Sequence, residues 1–332
     1  MSTLQLPGSS YSTEVNLNGL IEVLSKHLYS TPVVAVRELV QNGHDAIVRR
    51  RIEQPDAPKD NQIRVVADVA KSTITITDTG AGLTESEIHG FLATVGVGYT
   101  RMLRQQDDNT GLIGMFGLGF LSAFVLAKEV TVLTTSWQTP DQSWKYHSTD
   151  GQKYTVTPHQ ASGTGTQVIL TLKEEYSHLA SNNLLNRVLS RYCILLHEPV
   201  FVGDASEPVN KLQPPWREVA PEGVTMHRAL VQRKNLAFAA QFESSFEPIC
   251  TIPVVPAGMS DAVGILWIQD GATYGTSDNR NLSLFLRGML LDDEARELLP
   301  PWAGFIGGVI ESSKLTPTAS REDLQRDETW VA

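Results

Sequence analysis

From Pro32 to Arg51 apolar residues recur at helical spacing, with Val36, Leu39, Val40 and Ile47 on the side that a core would cover. Thr31 suits a helix cap and Pro32 a first helical position, so a helix is expected over roughly that span. Residues 15 to 30 alternate first and then turn helical. "NQIRVVADV" and "STITITD" have the short alternating pattern of strands and lead into the turn-forming "DTGAG". Residues 90 to 119 hold seven glycines, a density that suits a mobile loop or lid rather than packed structure. "FLSAFVLA" then predicts a helix. "EVTVLTTS", "WKYHS", "KYTVT" and "TQVILTL" predict strands, and "LLNRVLSRYCILLH" predicts a closing helix.

Small and polar residues with a proline, "GDASEPV", suggest a boundary near residues 203 to 209. Beyond it, "MHRALVQ", "VGILWIQD" and "LSLFLRGMLL" each predict a strand. The expected division is therefore 1–203 and 207–332, without internal repeats or low-complexity runs. A chain of 332 residues has room for two such domains and a sizeable core.

The formal net charge of −10 argues against nucleic acid or an anionic membrane as the main partner, since either favours a basic face. Cys193 and Cys250 match no metal-ligand spacing, and in a chain of this size they suggest a reducing compartment rather than a disulfide scaffold. No signal-peptide pattern opens the chain, and no stretch approaches the roughly 18 apolar residues of a membrane span. A soluble cytoplasmic protein is expected.

Three local features carry candidate chemistry. In "RELVQNGHDA", each residue advances about 100° along a helix, so Glu38, Asn42 and Asp45 fall within a roughly 60° arc. The plain alternative is the solvated face of an amphipathic helix. In "ITDTGAGL", Asp78 ends a strand directly before Gly80 and Gly82, where a carboxylate can accept from an exocyclic amine and glycines let backbone approach a flat ligand. Many strand-to-turn corners share that look. In "GLIGMFGLGF", Gly114, Gly117, Gly119 and Phe120 open a helix whose N–H groups suit phosphates, or form a flexible connector. Neither the "GxxxxGK[ST]" loop nor a dinucleotide fingerprint is present.

The order of the three, followed by "GTGTQVIL" with Thr166, resembles the ATP site of the GHKL superfamily. Within it, "LYSTPVVAVRELVQNGHDAI" and "GMFGLGFLSAFVLAKEVTVLT" resemble the heat shock protein 90 (HtpG-like) chaperones. So do "VNKLQPPW" and the run from "LFLRGMLLDDEARELLPPWAGF" to "SREDLQ" in the second half. The resemblance implies an α/β (α+β) fold: a Bergerat-type, mostly antiparallel sheet covered by helices, followed by an α-β-α layered middle domain. It implies a Mg2+-dependent ATPase that works in protein folding and the stress response, with ATP and ADP as ligands.

By the same resemblance Glu38 activates the water that attacks the γ-phosphate, Arg37 pairs with it at rest, and Asn42 offers an oxygen to Mg2+. Asp78 reads the adenine amine with support from Thr166. Asp45 lines the pocket, Gly82 lets the backbone close on the base, and Gly114, Gly117, Gly119 and Phe120 cradle phosphates. Arg321 in "SREDLQ", with Gln325 beside it, supplies the cation that the first domain's motifs lack. Client proteins, co-chaperones and a homodimer formed through a C-terminal domain beyond Ala332 are the implied partners.

Two positions depart from the family pattern. Val97-Gly98-Tyr99 stand where a basic residue and Ser-Gly-Thr are usual, and Gly43-His44 stand where the family has small residues. A sensor histidine kinase would need a phosphoacceptor helix upstream, and only 37 residues precede Glu38. A topoisomerase or MutL reading conflicts with the acidic charge and with "SREDLQ". An ATP-binding switch with negligible turnover stays open.

Overall fold

The computed structural model describes residues 17–23, 31–92, 112–113, 119–160, 163–218, 227–270, 280–318 and 324–326. Its first sheet comprises β1 (Ile63–Asp68), β2 (Thr73–Asp78), β3 (Ala127–Thr135), β4 (Ser143–Ser148), β5 (Tyr154–His159), β6 (Gly165–Leu172) and β7 (Val200–Val202). The order is β5-β4-β3-β6-β2-β1-β7, antiparallel except where β7 lies parallel to β1. A short helix α1 (Leu17–Val23) precedes α2 (Val34–Glu53), which packs on β1, β2 and β6. Helix α3 (Asn182–Tyr192) packs on β1 and β7.

Strand alternation explains where the core lies. In β2, Ile74, Ile76 and Asp78 are buried while Thr73, Thr75 and Thr77 are only half-buried. Ile74 and Ile76 join Ile63 and Val65 of β1, Leu39, Val40 and Ile47 of α2, and Leu185 and Leu189 of α3 in one apolar cluster. The result is a large, mostly antiparallel sheet covered by helices, as the first half of the chain leads one to expect.

The second sheet comprises β8 (Pro248–Val254), β9 (Val263–Gln269), β10 (Asn281–Leu286), β11 (Met289–Asp292) and β12 (Ile306–Ser312), in the order β11-β10-β12-β9-β8. Only β10 and β12 run parallel. Helix α4 (Arg228–Ala239) covers β8 and β9. The two halves interlock. Met289 enters the core of the first sheet, Leu195 enters the core of the second, and α3 also touches β11. At the expected boundary, Asn210 stitches the chain back by donating to Leu196 O and Glu198 O, both at 2.7 Å, and accepting from Val200 N at 2.9 Å.

Four sequence expectations change. Helix α2 starts at Val34 rather than Pro32, and its first turn is held by backbone bonds to Thr31 O and Pro32 O, not by the Thr31 side chain. "FLSAFVLA" makes only a 3-10 turn (Gly119–Ser122) and one α turn (Ala123–Leu126), because Ala127 already pairs in β3. From His227 on, "MHRALVQ" is not a strand but the start of α4, where alanine, leucine, lysine and arginine favour a helix. "LSLFLRGMLL" is not one strand but the β10–β11 hairpin, turning at Arg287 and Gly288. No helix among the described residues is long and apolar enough to cross a membrane.

Candidate functional site

Helix α2 is not the amphipathic surface helix that its polar residues suggest. Arg37, Glu38, Gln41, His44, Asp45 and Arg49 are all buried, and between Val34 and Asp45 only Asn42 is exposed. Buried charges need partners, because desolvation without them costs several kcal/mol. Arg37 Nη2 reaches Glu38 Oε1 at 3.3 Å, and the Arg37 guanidinium lies 5.4 Å from the centre of the Tyr192 ring. Arg49 Nε donates to Glu53 Oε1 at 2.9 Å and its Nη2 pairs with Glu87. Through Glu87, which closes a capping box with Thr84, α2 is fastened to the segment that follows Gly82.

The three candidate features meet along α2, the glycine segment at Glu38 and Asn42 and the strand-end Asp78 at the neighbouring Gly43. Gly119 lies directly over Glu38 and Asn42: a Cβ at residue 119 would sit 3.3 Å from Glu38 Oε2 and 3.5 Å from Asn42 Oδ1. Glycine thus lets backbone come close to both side chains. Phe120 turns its ring the other way, edge-on to Phe124 and Tyr146, which anchors that backbone in the core. Next to α2, Asp78 closes β2 opposite Thr166 of β6.

Asp78 Oδ1 accepts from Gly80 N at 2.8 Å, and the residue is 8% exposed. Burial pushes its carboxyl up from the ordinary 3.8 to about 7, although the N–H groups of Gly80 and Thr166 pull the other way. A carboxyl poised near neutrality at a strand end is a frequent mark of a functional site.

Three candidate residues have contacts within the fold itself. Asp45 Oδ1 accepts from Ile113 N at 2.8 Å and lies 3.3 Å from His44 Nδ1, so it holds neighbouring chain in place. Gly82 has a φ of 63°, and a Cβ there would lie 1.9 Å from Thr135 O, so the fold itself demands glycine. Gln325 is exposed and donates its side-chain amide to Pro317 O at 3.1 Å, within its own segment. Gly114, Gly117, Arg321 and the Val97-Gly98-Tyr99 departure lie outside the described residues.

Sequence reasoning missed the supports of the site. The Thr134 hydroxyl accepts from Leu83 N at 2.9 Å and lies 3.1 Å from Thr166 Oγ1, joining β3, β6 and the glycine turn. Arg50 Nη1 donates to Thr79 O at 2.9 Å. A threonine in a strand and an arginine near a helix end carry no local signal of such roles.

The first half of this architecture matches a family model described as histidine kinase-, DNA gyrase B- and HSP90-like ATPase, over residues 29–187. A second model, described as Hsp90 protein, matches residues 268–330. Together the two matches support an HtpG-like Hsp90 N-terminal and middle region. It is similar to the chaperone protein HtpG of Chlorobaculum tepidum, 27% identical over 95% of this chain and 52% of that protein. HtpG of Paramagnetospirillum magneticum is 28% identical over 95% and 52%, and HtpG of Methylorubrum populi 30% identical over 93% and 52%. The chain thus spans about half the length of these Hsp90-family relatives.

Proposed function

We propose that this chain binds and hydrolyses ATP as the N-terminal and middle portion of an Hsp90-type molecular chaperone. The observation that carries the reading is the convergence of Glu38 and Asn42 on the Gly119 backbone, beside the buried strand-end Asp78. On this reading Asp78 accepts the adenine amine, Thr166 and Thr134 steady that end, and the Gly119 backbone faces phosphate. Glu38 orients the attacking water and takes its proton.

The donor set suits Mg2+. Asn42 offers one exposed amide beside phosphate-facing backbone, and among the described residues no group of three His, Cys, Asp or Glu could cage a metal alone. An ion that takes most of its ligands from phosphate and water fits such a site. When bound it would neutralise charge on the phosphates.

Division into domains 1–203 and 207–332, closure of the glycine-rich 90–119 segment over ATP, and a cation from Arg321 complete the proposal. Clients, co-chaperones and the homodimer are carried over from the family, as is the cytoplasmic location. The test is calorimetric titration with ATP and Mg2+, followed by single-turnover hydrolysis. Micromolar binding with slow turnover is expected, and absence of binding overturns the reading. A second reading, an ATP-operated switch with negligible turnover, is favoured by the Arg37–Glu38 pair, which engages the proposed base.

A further inference from the structure

The β10–β11 hairpin turns on Arg287 and Gly288, with φ values of 51° and 83°, and Leu286 pairs with Met289 across it. Two-residue turns of this kind favour Asn-Gly, since an arginine strains to adopt positive φ. Strained backbone persists where surrounding contacts hold it. Here those contacts come from the other half of the molecule. Arg287 is buried, and its Nη1 donates to Leu112 O at 2.5 Å. The next residue, Ile113, donates its N–H to Asp45 Oδ1 at 2.8 Å.

Gly288 presses on the first half as well, because a Cβ there would lie 2.6 Å from Leu195 O. The cleft beside this contact is lined by Arg37 and Gln41 of α2, Ile113, and Leu286 and Met289 of the hairpin. A short relay therefore runs from the hairpin tip through residues 112–113 to Asp45, on the helix that carries Glu38 and Asn42.

We propose that Arg287 is a positioning residue through which the second sheet holds Leu112–Ile113 against Asp45 and thereby sets how fast the nucleotide leaves. The link to release rests on the ATP reading above; the link to residues 112–113 does not. Arg287 touches no reacting atom. It acts by fixing one wall of the α2 face, so it changes the rate of ligand exchange rather than the chemistry. The arrangement also gives the second half a way to sense the first, since movement of the hairpin would release Asp45 from Ile113.

The experiment compares wild type with Arg287→Asn and Arg287→Lys in the full chain. Asparagine fits the turn but cannot reach Leu112 O. Lysine keeps an N–H donor of similar reach. Hydrogen exchange at the Ile113 amide is measured without nucleotide, and dissociation of a ribose-labelled fluorescent ATP is measured with Mg2+. For Arg287→Asn we expect exchange at least about tenfold faster and release several-fold faster, at an unchanged melting temperature. Arg287→Lys should restore most of both.

Exchange at Ile113 within twofold of wild type in Arg287→Asn overturns the proposal. Faster exchange with unchanged release overturns the link to the nucleotide and leaves Arg287 an interface contact. Wild-type protein that fails to bind the labelled ATP would refute the ATP reading separately, while the exchange arm still decides whether Arg287 holds residues 112–113.

Discussion

At the scale of single residues, Asp78 shows a conflict between stability and binding. Its carboxyl is raised to about 7 by burial, so the folded state binds the proton more tightly than the unfolded chain does. The stability this gives is fully present below about pH 4 and is lost as pH rises through about 7. Asp78→Asn, which stays neutral, should therefore stabilise the nucleotide-free protein at pH 8 by on the order of 4 kcal/mol, with the gain vanishing near pH 4. Thermal melts of both proteins across pH check this. If Asp78 meets the adenine amine as proposed, the same substitution should abolish ATP binding, because the ionised acceptor is replaced by an amide. A variant that keeps wild-type affinity would remove Asp78 from the adenine site. In the wild type, affinity should fall by up to about tenfold per pH unit below 7, since the amine needs the ionised acceptor. Glu38 has a different profile. Glu38→Ala should leave ATP affinity within a few-fold and stop turnover, because a base acts mainly in the transition state. Comparable single-turnover rates would assign the base elsewhere.

At the scale of elements, α2 behaves as a central strut rather than a surface helix. The sheet covers one side, and the segments around Glu87, Ile113 and Gly119 cover much of the rest. Its buried charges are therefore matched along its length, Arg37 with Glu38 and Arg49 with Glu53 and Glu87. Glu53 also accepts from Trp137 Nε1 at 2.8 Å, which ties the loop after β3 to the same end of the helix. Arg49→Met would take the Arg49 cation away from two largely buried carboxylates. Breaking a pair of this kind costs about 3 kcal/mol. Denaturant unfolding should show that loss. Nucleotide dissociation should also quicken, because Glu87 no longer anchors the segment beyond Gly82. A loss below about 1 kcal/mol would make the cluster an ordinary surface network.

At the scale of the whole molecule, the halves are joined by a reciprocal exchange of apolar side chains, Met289 into one core and Leu195 into the other. That junction brings the second sheet to the α2 face, where the hydrolysis proposed above would need a cation for charge growing on the γ-phosphate. Arg321→Ala should lower turnover while leaving ATP affinity within a few-fold. An arginine in such a role is worth roughly 10³–10⁵ in the best-studied phosphoryl-transfer enzymes. A smaller factor is expected here because closure, not chemistry, limits many enzymes that move in this way. Arg321→Lys should rescue poorly, since an ammonium lacks the planar fork of the guanidinium. Steady-state turnover with ATP affinity measured alongside checks both variants, and unchanged turnover in Arg321→Ala would make it a surface charge.

Much of this could be read from local pattern. The alternation of "TITITD" reflects a two-residue period, so Asp78 faces the core with Ile74 and Ile76 as soon as β2 forms. The 60° arc of Glu38, Asn42 and Asp45 follows likewise from helical geometry. Periodicity, however, describes an element's faces and not what packs against them. The same arc is compatible with solvent, and only the packing of Gly119 against Glu38 and of Ile113 against Asp45 turned them into buried groups. The hairpin at Arg287-Gly288 was hidden for a related reason: the residues do not favour the turn, and contacts with Leu112 and Leu195, distant in sequence, hold it. Sequence alone thus determined the elements and the chemistry each could carry. The tertiary structure decided which groups are desolvated and which meet, because burial and long-range contact depend on the whole chain.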